Sequence, residues 1–171
     1  LNKVNKKTLH PKIKKLYDMF PEDVDNMHNI IYYGPSGVGK YTQALASIQR
    51  YSDSNLKYEK KMSITSHKHK TPIIIKISDI HFEVDLSLLG CNSKLIWNEI
   101  YNNITDAVLA KKNKVGIILC KNFHEIHSEL LEIFYSYIQI NNPLIKLKFI
   151  LITEQISFIP NNVLQRCKII S

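Results

Sequence analysis

The residues of this chain best suited to chemistry stand together at 34–42: Gly34, Pro35, Ser36, Gly37, Val38, Gly39, Lys40, Tyr41 and Thr42. Three glycines let the backbone take dihedrals closed to other residues and approach an anion closely, and Lys40 adds a point charge. Ile30 to Tyr33 is a β-branched and aromatic run that reads as a buried strand, and Tyr41 to Tyr51 has helical character. Strand, glycine loop, lysine and helix together make the setting of a phosphate-binding loop, whose amides and following helix start face the anion. One place breaks the pattern GxxxxGK(S/T). The hydroxyl residue that ordinarily ligates Mg²⁺ is replaced by Tyr41, with Thr42 one step further on. The sequence predicts nucleotide binding without the usual handling of magnesium.

Other groups invite chemistry and have plainer readings beside it. His124-Glu125-Ile126-His127 is one residue short of the zinc-protease spacing, and His67 and His69 flank Lys68 in a polar loop without further ligands. Lys111, Lys112 and Lys114 are candidates for nucleic-acid phosphate contact, or a solvated cluster at a helix end. Tyr32, Tyr33, Phe134 and Tyr137 read as strand or helix core faces, and Cys167 as a small core residue.

The elements that must hold these groups follow from periodicity. His10 to Phe20 is amphipathic and ends at Pro21. A polar, lysine-rich excursion at 52–71 holds short strands around Tyr58 and Met62 to Thr65, and Ile73 to Ile77 and His81 to Val84 read as further strands. Ser93 to Lys112 carries Ile96, Ile100, Ile104 and Val108 at helical spacing, and Ile126 to Ile140 repeats the period. Val115 to Cys120 and Leu147 to Thr153 are continuous apolar strands, and Ile169-Ile170 opens another. Such alternation gives an α/β fold, a mostly parallel sheet with helices on both faces, and ligands bind at the carboxyl ends of its strands. The organisation expected is an N-terminal helical segment at 1–28 and a P-loop core at 29–171.

At 171 residues, 44% hydrophobic and 22% charged, the chain has the composition of one globular domain. It starts at Leu1 rather than methionine and so reads as a segment of something longer. Its apolar runs fall short of a membrane span. Cys91, Cys120 and Cys167, odd in number and far apart, suit a reducing intracellular compartment. The net charge of +8 comes almost wholly from lysine, because Arg50 and Arg166 are the only arginines. That balance permits contact with nucleic acid, and an AT-rich genome yields the same composition.

The order of motifs resembles the ATPase domain of a clamp-loader small subunit, that of replication factor C within the AAA+ family. Four stretches carry the likeness: GPSGVGKYT at 34–42, HFEVDLSLLG at 81–90, VGIILCKNFHEIHSELLEIFYSYI at 115–138 and FILITEQISFIPNNVLQRC at 149–167. The resemblance implies a RecA-like AAA+ core with Gly34 to Thr42 as the cradle of ATP or ADP. It makes Arg166, in Gln165-Arg166-Cys167, the arginine finger that a subunit inserts into its neighbour's ATP site. It also implies other loader subunits of a hetero-pentamer, a sliding clamp and primer-template DNA as partners. The compartment would be the nucleus, or a viral replication compartment. The family's helical lid and collar lie outside these residues.

Departures from the family pattern fall at one place. Its acidic residues after the second apolar strand are replaced by Lys121 and Asn122, Asn122 standing opposite the catalytic glutamate, and Thr153-Glu154 stands near its polar sensor. An amide orients water but cannot take its proton, so hydrolysis in cis is not expected. The family's basic DNA-gripping face is Tyr135-Ser136 here. Two other readings stay open. One is an active NTPase recruiting magnesium through Thr42 and Asp79, Asp85 or Glu125, and the other is a scaffold that binds no nucleotide.

Overall fold

The computed structural model describes residues 15–65 and 71–171. The start of the amphipathic stretch from His10 and the His67/His69 pair therefore lie outside the described residues. Seven strands form one sheet: β1 (Asn29–Tyr33), β2 (Lys60–Ile64), β3 (Ile73–Ile77), β4 (His81–Asp85), β5 (Val115–Lys121), β6 (Lys146–Thr153) and β7 (Cys167–Ile170). Their order is β2-β3-β4-β5-β6-β1-β7. From β4 to β7 every pair is parallel, while β2 and β3 add an antiparallel hairpin at one edge. The polar excursion expected at 52–71 is thus partly this hairpin, with Tyr58 in the exposed loop before it.

Helix α1 (Lys40–Ile48) covers one face of the sheet, with α2 (Ser93–Leu109), α3 (Ser128–Gln139) and the short α4 (Asn161–Leu164) on the other side. The period-two alternation of the strands sorts the core accordingly. Ile30, Tyr32, Ile117, Leu119 and Ile150 pack under α1, joined by Phe20, Val24 and Met27 from the segment before β1. Ile31, Phe82, Ile118, Cys120 and Leu151 face the apolar stripe of α2 and Phe134 of α3. Close approach of α2 requires Gly116, since a Cβ there would lie 2.8 Å from Val108 Cγ2.

Two expected core positions differ. Tyr33 is exposed because it ends β1 on the face of Ile31, past the reach of the helices, and Cys167 is only half-buried at the start of an edge strand. Burial still pushes the Cys167 thiol up to about 12. Lys111 and Lys114 are engaged in ending α2, Lys111 Nζ donating to Asp79 O at 2.7 Å and Val115 O at 3.0 Å, and Lys114 Nζ to Leu109 O. That leaves Lys112, exposed before the amino end of β5 and so at the opposite end of the strands from the glycine loop.

Candidate functional site

The glycine loop leaves the carboxyl end of β1, and Lys40 opens α1 directly after it. Gly37 and Gly39 sit at φ 79° and 85°, a left-handed backbone that other side chains resist. The Gly34 amide donates to Thr153 O at 3.3 Å, joining the loop to the end of β6. Lys40 Nζ lies inside the turn, donating to Gly34 O at 2.7 Å and Pro35 O at 2.6 Å. Beside the loop is a cleft of about 370 Å³ bordered by Tyr33, Gly34, Pro35, Val38, Gln43 and Ile170. Its floor is braced from the N-terminal segment, where Tyr17 donates to Gln43 O at 2.9 Å and to Gln43 Oε1 at 2.7 Å. Thr153, at the sensor position, is fully buried and closes its own turn by donating to Gln155 O at 2.6 Å.

Tyr41 points along the sheet toward β4. Its hydroxyl donates to Glu83 at 2.5 Å to Oε1 and 3.1 Å to Oε2. Glu83 is 3% exposed, and His81 Nε2 lies 3.4 Å from its Oε1 while His81 Nδ1 meets Ser78 Oγ at 2.5 Å. Because the Ser78 hydroxyl already accepts the amides of Ile80 and His81, it is a turn-former and no nucleophile. Burial alone would raise the Glu83 carboxyl. Hydrogen bonds from His81 and Tyr41, with the charges of His81 and Lys76, outweigh it and hold the group below its ordinary 4.5. Burial, then Glu83 itself, pushes the Tyr41 hydroxyl up, so it is a neutral donor.

Sequence reasoning missed this chain. Its one local sign is that His81 and Glu83 alternate onto a face that is otherwise apolar. Removing the hydroxyl in Tyr41→Phe should cost about 1–3 kcal/mol, read as a lower melting temperature, because a buried carboxylate loses a donor. The sign with pH follows from the lowered folded value. The contribution is complete above 4.5 and is lost as pH falls through the folded pKa, so the stability gap between wild type and variant should be largest near neutral pH and narrow on acidification. Equal stability of wild type and variant at neutral pH would show that the bond contributes nothing.

The positions of the acidic motif lie at the end of β5. Asn122 is left-handed at φ 52°, and its Nδ2 donates to Asp85 Oδ1 at 2.9 Å. Asp85 Oδ1 also accepts from the amide and hydroxyl of Ser87, at 3.1 and 2.6 Å. Lys121 Nζ stands 5.3 Å from the centroid of the Tyr41 ring. The other carboxylates weighed from sequence are elsewhere. Asp79 precedes the amino end of β4, bound by Ser52 and Ser54, and Glu125 is exposed on a 3-10 turn (Phe123–Glu125) rather than on the next helix. His124 and His127 serve separately, Nδ1 of each accepting a different amide, from Glu154 and Glu129. These residues do not fit a magnesium ion. The hydroxyl position is a tyrosine bound to Glu83, and the carboxylate position carries an ammonium group and an amide.

The two arginines differ in employment. Arg50 Nη1 donates to Tyr17 O at 2.8 Å and Phe20 O at 3.4 Å, fixing the N-terminal segment onto α1. Arg166 is exposed between α4 and β7, with Nη2 3.4 Å from Tyr135 Oη and its guanidinium 6.0 Å from that ring. It does not cap α4 with its side chain. Asn29 pairs with Cys167 across β1 and β7, so Arg166 lies at the opposite end of β1 from the glycine loop. At about 3.3 Å per residue that separation is roughly 15 Å.

Parallel strands in the order β4-β5-β6-β1-β7, a glycine loop at the carboxyl end of β1 and a lysine opening the next helix define a RecA-like P-loop α/β fold. Among solved structures the chain is similar to RuvB of Thermotoga maritima, described as a Holliday junction branch migration motor, and to a single-substitution variant of it. For each the TM-score is 0.53 and the identity 14%, over 92% of this chain and 42% of the other. The chain therefore spans less than half the length of these relatives, and the likeness is one of fold. No protein-family model matches the chain, and no curated protein does.

Proposed function

We propose that this chain is the nucleotide-binding domain of a clamp-loader subunit that holds ATP or ADP without hydrolysing it and offers Arg166 to the ATP site of its neighbour. In that role its partners are the other loader subunits of a hetero-pentamer, a ring-shaped sliding clamp and primer-template DNA reached through the assembled complex. The observation that carries the reading is the position of Arg166. It is exposed, free of any carboxylate among the described residues, and at the opposite end of β1 from its own loop. A guanidinium so placed can serve a nucleotide only if that nucleotide belongs to another molecule.

The glycine loop fits phosphate oxygens, with left-handed glycines, a helix start and Lys40 at one place. A bound nucleotide would supply the transferable phosphoryl group. At the end of β5 the two residues in place are Lys121 and Asn122, an ammonium and an amide, and neither can act as a base. Titrating the chain with ATP while following phosphate release in the same samples should show saturable binding and no release. Steady release would favour the independently active NTPase, and absence of binding would favour the scaffold.

A further inference from the structure

We infer that the ammonium group of Lys121 takes the place of a divalent cation beside a nucleoside polyphosphate in the Gly34 to Thr42 loop, so that binding there is independent of magnesium. The inference rests on the nucleotide reading above and names its counter-ion. A polyphosphate carries several negative charges, and Lys40 with the loop amides balances only part of them. A divalent cation ordinarily adds the rest, held by a hydroxyl that opens the helix and by carboxylates at the end of a strand.

In this chain both of those positions are changed, and the two changes touch. Tyr41 supplies an aromatic face, and Lys121 rests its Nζ over that face at 5.3 Å from the centroid. The tyrosine is held in this pose by its hydroxyl on the buried Glu83. Thus the residue that forfeits the metal hydroxyl becomes the shelf for a fixed cation, and the residue that forfeits the metal carboxylate becomes that cation.

No acid among the described residues pairs directly with Lys121. Asp85, its register neighbour on β4, bonds Asn122 and Ser87 through Oδ1, and Glu83 bonds Tyr41 and His81. Among the described residues Lys121 makes no ion pair. A half-buried lysine with no carboxylate partner among the described residues, resting on the residue that follows Lys40, is a charge open to an anion. The same charge repels Mg²⁺.

The test is equilibrium binding of ATP and ADP to the whole chain, in magnesium and again in excess EDTA. The wild-type Kd should agree within about twofold between the two conditions, since a protein-borne cation is already present. Lys121→Met should weaken binding by roughly ten- to hundredfold in both, the scale of one hydrogen bond to a charged group. Lys121→Arg should restore most of the affinity, and matching melting curves for the two variants would exclude a folding defect. Wild-type binding that requires magnesium, or a Lys121→Met variant that binds as tightly as wild type, would overturn the inference and leave the loop as a nucleotide site. Absence of wild-type binding in both conditions would overturn the nucleotide reading and the inference together.

Discussion

Arg166→Ala in an assembled complex is expected to slow nucleotide hydrolysis at the adjoining subunit's site by about 10³-fold or more, the range of arginine fingers supplied in trans. The variant's own nucleotide affinity should not change, since Arg166 lies at the far end of β1 from the loop. Its stability should also stay within about 0.5 kcal/mol of wild type, as expected for an exposed side chain whose polar contact is one 3.4 Å approach to Tyr135. Arg166→Lys should recover little, because an ammonium lacks the planar fork that meets two phosphate oxygens at once. Turnover per site in the reconstituted complex is the measurement. Unchanged turnover in Arg166→Ala would remove the finger assignment and reduce Arg166 to a surface residue leaning on α3.

Lys40→Ala should weaken ATP and ADP binding by about two orders of magnitude. The ammonium donates to Gly34 O and Pro35 O, so the substitution removes both a charge for phosphate and the group that gathers the loop carbonyls. Hydrogen bonds to charged groups contribute about 1.5–3 kcal/mol, and 1.4 kcal/mol is a factor of ten in Kd. The fold should survive, because the core under α1 rests on Ala44, Leu45 and Ile48. Equal affinity in wild type and variant would mean that the glycine loop is not where nucleotide binds. Together with Arg166→Ala, this separates the site the subunit keeps from the one it completes elsewhere.

The frame of the fold was legible because it is written in local patterns. Apolar runs marked β1, β5 and β6, and helical spacing of Ile96, Ile100, Ile104 and Val108 marked α2. Element ends were less so. The helix expected from Ile126 begins at Ser128 because His127 caps it, and the left-handed Asn122 turns Phe123 to Glu125 into a separate 3-10 turn. Position 33 was misread since alternation assigns a face but not how far the covering helices extend. The loop itself could be read from spacing. What surrounds Tyr41 could not, because its hydroxyl reaches a residue 42 positions away and its ring carries a lysine from yet another strand. No window of sequence contains that geometry.

The placement of the loop and of Arg166 at opposite ends of β1 has a consequence for architecture. Asn29, the first residue of the strand, reaches the Arg166 carbonyl at 3.5 Å, while the last residue, Tyr33, runs into the loop. On the proposed reading the molecule is therefore vectorial, with Arg166 at a giving end and the loop at a receiving end. A two-fold dimer could bring each copy's guanidinium to the other's loop only with the two β1 strands antiparallel across the axis, and then both exchanges would occur at once. A heterologous, head-to-tail assembly passes one guanidinium per contact, and must either close into a ring or leave one terminal subunit with its loop uncovered.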